Sequence, residues 1–278
     1  MNTQELINSI IDLALEEDGV DITSNALFEL SDRLKAKFTA KSSGIIAGLD
    51  IADIVFKKLD ENAVFEKKID DGSHVEAGTI IATVTGGARA LLKAERVALN
   101  FLQRMSGIAT MTDLFIKELQ GTRAMLLDTR KTAPGQRVLD KTAVRLGGGQ
   151  NHRMGLYDLA LIKDNHIDRV SSITEAVRRV REFSPAIPIV VEARNLDDVK
   201  ELLPLKVDRV MLDNFSIEDM IDTVLFVNHR VPLEASGGIT LNTIRKVALT
   251  GVDYISVGEV THSVKAFDIS MTIGRSDD

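Results

Sequence analysis

The chain has 278 residues, 44% of them apolar, with a formal net charge of −7. That length suits one large domain or two ordinary ones with ample material for a core, and the acidic balance argues against nucleic acid as a partner, which needs a basic stripe. The absence of cysteine excludes disulfides, thiolate catalysis and cysteine-ligated metal centres, and no run of about 18 apolar residues offers a membrane span, so a soluble, cytoplasmic protein is expected.

Leu6, Ile7, Ile10, Ile11, Leu13 and Leu15 fall near helical spacing, which predicts a first helix ending before Gly19. The same segment is acidic and lacks the basic start and unbroken apolar core of a secretory leader. FTAKSSGIIAG and NAVFEKKI read as short strands on either side of an amphipathic helix, LDIADIVFKKLD. DDGSHVEAGTIIATVTGGA adds β-rich runs punctuated by Gly72, Gly78 and Gly86. Residues 1–105 therefore form a first, small domain of mixed helix and sheet. From Ala88 to about Leu119 the pattern is helical, with a break or bend expected at Ser106-Gly107. Arg96 and Arg104 lie on it and read, from pattern alone, as cations on a solvated face.

After that the chain alternates strand and helix. AMLLDT, LALIK, PIVVEA, DRVMLD, VPLEAS and DYISVG are short β-rich runs. NLDDVKELL, IEDMIDTVLFV and TLNTIRKVAL between the later ones have helical spacing, with Asn195, Ser216 and Thr240 as N-caps. The alternation implies parallel βαβ units, and continuous apolar runs suit strands buried on both faces. Six such units favour a closed or nearly closed barrel over an open sheet.

In a parallel barrel the chemistry collects where the strands end. Those ends are Asp128-Thr129-Arg130-Lys131, Lys163-Asp164-Asn165-His166, Glu192, Asp213-Asn214, Ser236-Gly237-Gly238 and Gly258. Glycines at the last two suit backbone contacts to a phosphate. Glu192 and Asp213 are expected to face each other across the mouth, as partners for Mg²⁺, ribose hydroxyls or a developing positive charge. The stretch from Leu126 to Arg169 holds eight cationic side chains against five acids, beside Gly147-Gly148-Gly149 and Asn151-His152-Arg153. Arginine forks, lysine point charges and Gly-rich backbone N–H groups together suit a small polyanion.

At LLDTRKTAPGQRVLDKTAVRLGGGQNHRMGLYDLALIKDNHI the sequence closely resembles the quinolinate phosphoribosyltransferases, also called carboxylating nicotinate-nucleotide pyrophosphorylases. The similarity continues through AERVALNFLQRMSGIAT, VMLDNF, LEASGGI and DYISVGEVTHSVKAFDIS. The resemblance implies an N-terminal α/β sandwich domain over 1–105, with a C-terminal tail, 266–278, packed back on it. Over 106–265 it implies a six- or seven-stranded parallel α/β barrel carrying the phosphoribosyltransferase activity. It also implies a glycosyltransferase joining quinolinate to 5-phosphoribosyl 1-pyrophosphate, with release of carbon dioxide and pyrophosphate, to give nicotinate mononucleotide in de novo NAD biosynthesis.

Carried onto this sequence, the quinolinate-binding cations correspond to Arg130, His152, Arg153 and Lys163. Lys131 would serve quinolinate or pyrophosphate. Arg96 would be donated across the interface of a homodimer, alone or within a higher oligomer. Glu192 and Asp213 would stand near ribose and Mg²⁺, and Ser236, Gly237, Gly238 and Gly258 would cradle the 5-phosphate. The resemblance thus makes Lys131, Glu192 and Asp213 catalytic and Mg²⁺ the cofactor, with no nucleic-acid or membrane partner. The chain departs from the family at Val190-Val191-Glu192-Ala193, where a Glu-Val-Glu-Val run is usual, and in a shortened EEDGVDITS segment. Two rivals share parts of the pattern. One is a Schiff-base lyase using Lys163, and the other is a paralogue similar to the molybdenum-transport-associated protein.

Overall fold

The computed structural model describes residues 2–274. Over these the chain divides into two compact units, 2–113 with 132–148 and 263–274, and 114–131 with 149–262. The expected boundary at 105/106 falls within a helix. The helix expected to break there runs unbroken from Ala88 to Glu118, and the segment 132–148 belongs with the first unit.

The first unit opens with α1 (Thr3–Asp18), started by a capping box in which Asn2 and Glu5 each accept the other's backbone N–H, and closed by Gly19 at φ 62°. Asp21 caps the short α2 (Ile22–Leu27), accepting the Ser24 N–H at 2.9 Å. There follow β1 (Arg33–Ala40), β2 (Gly44–Ile45), α3 (Leu49–Leu59), β3 (Val64–Lys67), β4 (His74–Val75) and β5 (Ile80–Gly87). β1 starts five residues earlier than FTAKSS suggested, because Arg33, Lys35 and Lys37 point outward while Ala36, Phe38 and Ala40 are buried. β1 lies between β5 and the C-terminal strand Ile269–Gly274, both antiparallel to it, with Lys35 opposite Gly274 and Ala40 opposite Ile269. Residues 275–278 of the expected tail lie outside the described residues. α3 buries Leu49, Ile51, Ala52, Val55 and Phe56, and Phe56 meets Phe38 and Phe65 of the sheet with ring centroids 5.9 Å away. Phe38 and Phe56, both fully buried, each contribute about 1.5–3 kcal/mol of transfer free energy.

The long helix α4 (Ala88–Glu118) follows. Ser106 does not break it. The Ser106 hydroxyl accepts the Ala47 N–H at 2.9 Å, and Gly107 lets the Lys265 carbonyl approach so closely that a Cβ there would lie 2.2 Å from the oxygen. The pair therefore marks a packing site within the first unit. Arg104 is no free surface cation either, because it grips the fully buried Asp140 through two hydrogen bonds of 2.8 Å. Asp140 lies on α5 (Arg137–Leu146) and also accepts the Ala133 N–H at 3.1 Å.

The second unit carries β6 (Met125–Leu127), β7 (Ala160–Ile162), β8 (Ile189–Ala193), β9 (Arg209–Asp213), β10 (Leu233–Ser236) and β11 (Tyr254–Ser256). All pair in parallel in the order β6-β11-β10-β9-β8-β7. The first strand lies beside the last, so the sheet curls into a six-stranded barrel open between β6 and β7. Gln150 covers part of that opening by bridging to Leu127. The connections are α6 (Asp164–Val170), α7 (Ile173–Phe183), α8 (Leu196–Leu202), α9 (Ile217–Val227) and α10 (Ile244–Ala248), with α11 (Glu259–His262) after β11. Asn195 and Ser216 cap α8 and α9 through their side chains. Thr240 caps nothing, since α10 starts only at Ile244 and the Thr240 N–H donates to the Thr243 hydroxyl at 2.9 Å. No helix among the described residues is long and apolar enough to cross a membrane.

Candidate active site

All six strand ends of the second unit open onto one cavity of about 800 Å³. β6 supplies Thr129, Arg130 and Lys131, β7 supplies Lys163 and Asp164, and β8 supplies Glu192. Asp213 and Asn214 follow β9, Ser236, Gly237 and Gly238 close β10, and Ser256 and Gly258 come from β11. His152 and Arg153 join them from the loop before β7. The structure therefore brings together every expected site residue except Arg96, which is exposed on α4 in the first unit and does not line this cavity. The Gly147-Gly148-Gly149 run does not line it either. Gly147 closes α5, and a Cβ on it would sit 2.3 Å from the Ala109 carbonyl, so it serves packing within the first unit.

The site is held from below by buried acids. Asp128 is fully buried and accepts the Asn151 side-chain amide at 2.6 Å and the His152 N–H at 2.8 Å, which fixes the Asn-His-Arg turn. Glu234, also fully buried, receives Arg209 at 2.7 Å and the Ser256 hydroxyl, with His152 Nε2 3.4 Å away. Burial alone raises this carboxyl, but His152, Ser256 and Arg209 outweigh it and hold Glu234 below the ordinary glutamate value. Sequence reasoning missed Glu234 and Arg209. The signal was there, Glu234 inside the β-rich run VPLEAS and Arg209 near the start of DRVMLD, each a charge within a strand destined for burial.

The lining holds four cations, Arg130, Lys131, Arg153 and Lys163, and four acids, Asp164, Glu192, Asp213 and Glu259. Charge count alone therefore does not make it a cationic bowl. Pairing does, since among the described residues only Lys163 of the four makes an ion pair, with the nearly buried Glu192 at 2.8 Å. The Arg153 guanidinium is lowered from its ordinary value, first by burial and then by Arg130 beside it. Two like charges held together in a partly desolvated pocket favour an anion between them. His166 accepts the Lys163 N–H on its Nδ1 at 3.0 Å, which fixes the start of α6.

Glu192 and Asp213 do not face each other across the mouth. They stand on adjacent strands, where Glu192 is opposite Met211, two residues below Asp213. Both carboxylates thus line one wall at successive heights. Asn214, at φ 58°, donates its amide to Asp213 at 2.9 Å. Its own Oδ1 would be 2.1 Å from a Cβ on Gly237, which has φ 102°. Only glycine fits there, and the bare backbone it leaves is suited to closely approaching oxygens. Among the described residues no group of three or more His, Asp or Glu side chains could hold a metal ion by itself.

Comparison with known proteins gives the family. The N-terminal domain of quinolinate phosphoribosyl transferase matches residues 21–106, and the C-terminal domain of the same family matches 108–272. A nicotinate-nucleotide pyrophosphorylase [carboxylating], chloroplastic, from Oryza sativa subsp. japonica is 43% identical over 96% of this chain and 77% of its own length. One from Mycobacterium leprae is 41% identical over 94% of both chains. The solved structure of the nicotinate-nucleotide pyrophosphorylase from Francisella tularensis superposes with a TM-score of 0.95 at 38% identity, covering 99% of this chain and 98% of that one. With both domains matched along nearly its whole length, the chain belongs to the quinolinate phosphoribosyltransferase family.

Proposed function

We propose that this chain transfers phosphoribosyl from 5-phosphoribosyl 1-pyrophosphate to quinolinate with decarboxylation, yielding nicotinate mononucleotide, carbon dioxide and pyrophosphate for NAD biosynthesis. The observation that carries this is the convergence in one cavity of three cations without an ion-pair partner among the described residues, two adjacent strand-end carboxylates and a glycine-built turn. A volume of about 800 Å³ lies within the usual range for small-molecule sites.

In this reading Arg130, Arg153 and Lys163 take the two carboxylates of quinolinate, with Lys131 serving quinolinate or the diphosphate. Ser236, Gly237, Gly238 and Gly258 receive the 5-phosphate. Held this way, the pyridine nitrogen is in line with ribose C1 as pyrophosphate departs. Glu192 and Asp213 stabilise the positive charge that develops on the ribose ring. Decarboxylation follows on the mononucleotide, because the quaternised nitrogen stabilises the electron pair left at C2 when carbon dioxide departs, and that carbon then takes a proton from water. No side chain needs to act as a general base.

Mg²⁺ fits the donor set. It is commonly held by one or two carboxylates together with substrate phosphates, and Glu192 and Asp213 are two hard oxygen donors with no third acid or His grouped with them among the described residues. When bound, it supplies charge neutralisation for the departing pyrophosphate.

Arg96, exposed on α4, completes the quinolinate pocket of a second copy in a homodimer. Mixing inactive Arg96→Ala and Lys163→Ala proteins would then restore activity by forming one intact site, whereas no recovery in mixed dimers would refute the donation. Cytoplasmic localisation belongs to the same proposal, and cell fractionation tests it.

A Schiff-base lyase needs a desolvated lysine, but Lys163 is half exposed and paired with Glu192, which disfavours that alternative. The test is turnover by purified protein with quinolinate, phosphoribosyl pyrophosphate and Mg²⁺, with nicotinate offered in parallel. Nicotinate mononucleotide from quinolinate alone is expected. No product from either would refute the proposal and favour the transport-associated paralogue.

A further inference from the structure

Beneath the cavity floor sits a charged cluster that the proposed chemistry does not use. Glu234 is fully buried on β10 and does not line the cavity. A buried carboxylate needs a counter-charge, and Arg209 from β9 supplies it at 2.7 Å, with its guanidinium carbon 4.0 Å from the centroid of the Tyr254 ring. The pair is neutral without any charge on His152.

The His152 ring then shows which nitrogen holds the proton. Its Nδ1 accepts the Arg153 backbone N–H at 2.7 Å, which requires a lone pair there. Its Nε2 stands 3.4 Å from Glu234 Oε1 without the geometry of a hydrogen bond, so the carboxylate acts on that nitrogen through its field alone. Asp128, on the other side, takes the His152 backbone N–H, so the residue is held at both main chain and ring.

We infer that Glu234 is a positioning residue that keeps His152 as the neutral, Nε2-protonated tautomer, making the imidazole a strut for the Arg153 backbone instead of a charged contact for the substrate carboxylates. The kinetic consequence rests on the proposed reaction; the spectroscopic one does not.

Histidine-selective ¹⁵N labelling tests this directly, because the chain has five histidines and His152 is assigned by the signal lost in His152→Asn. In substrate-free wild type at neutral pH, His152 is expected to show a protonated Nε2 and a bare Nδ1. Glu234→Gln should disturb that pattern and raise KM for quinolinate about tenfold, by loosening a support behind a binding residue. KM for phosphoribosyl pyrophosphate should stay unchanged, and Glu234→Asp should recover part of both effects. An imidazolium or an Nδ1-protonated ring in wild type overturns the inference, as does a folded Glu234→Gln with wild-type His152 signals and KM. The wild-type spectrum needs no variant, so a Glu234→Gln that fails to fold leaves the inference open to refutation. Absent turnover in wild type would remove the proposed reaction while leaving the tautomer assignment to stand or fall on its own spectrum.

Discussion

Replacing Lys163 by alanine separates a residue that holds the fold from one that holds the substrate. Its ammonium is 2.8 Å from Glu192 Oε1, and the lysine side chain is 47% exposed against 9% for its partner. Water screens the lysine end, so the pair contributes at most about 1 kcal/mol to folding. For a protein of this size that is a fall in Tm of about 2–4 °C. Catalysis should respond far more. In the loaded, partly dehydrated cavity Lys163→Ala removes one cation from a substrate carboxylate and leaves Glu192 unpaired beside it, a loss of about 2–5 kcal/mol. That corresponds to a fall in kcat/KM of roughly 30-fold to several thousand-fold. The assay pairs initial rates at varied quinolinate with a thermal melt of the same preparation. A kcat/KM within a few-fold of wild type would refute the site assignment. A collapse in Tm would instead show Lys163 to be part of the structural core.

Gly237→Ala should preserve folding and weaken the phosphate side of the site, raising KM for phosphoribosyl pyrophosphate at least about tenfold. Its Cβ would meet Asn214 Oδ1 at 2.1 Å at a φ of 102°, a conformation that costs a non-glycine residue about 1–3 kcal/mol. Gly107→Ala should destabilise the protein by about 1–3 kcal/mol in urea unfolding, although alanine is the better helix former, because the Lys265 carbonyl would lie 2.2 Å from the new methyl group. Glu234 is held below its ordinary value, so the unfolded chain binds its proton first as pH falls. Its contribution to stability is present above the ordinary glutamate range and is lost as pH falls through and below that range. Glu234→Gln should therefore show a shallower loss of stability over that interval in pH-dependent denaturation, and an unchanged slope would contradict the assignment.

The barrel was legible because its six strands are nearly pure apolar runs, each closed by a charge or glycine, so period and punctuation gave both the elements and the wall of the site. What escaped was long-range pairing. Arg104 looks like a solvated cation until α5 brings Asp140 beneath it. Glu234 and Asp128 are buried acids whose partners lie 25 and 23 residues away in sequence, at Arg209 and Asn151, and no local pattern records such a match. Ser106-Gly107 carries the signature of a helix break, yet the reason for the glycine is a carbonyl 158 residues later in the chain. The expectation that Glu192 and Asp213 face each other fails for a reason the order of the runs already holds, because consecutive strands of a parallel barrel lie side by side, as β8 and β9 do. Arg96 is the converse case. The resemblance gave it a role that neither its exposed position on α4 nor the cavity lining reveals.

The central claim is that this cavity couples phosphoribosyl transfer to loss of the C2 carboxylate. Quinolinate carrying ¹³C in that carboxylate tests it in one experiment, with labelled carbon dioxide, pyrophosphate and nicotinate mononucleotide measured from the same reaction. The account predicts all three in equal amounts, dependent on phosphoribosyl pyrophosphate and abolished together in Arg130→Ala. Labelled carbon dioxide without mononucleotide, or a ribosylated product retaining the label, would contradict it.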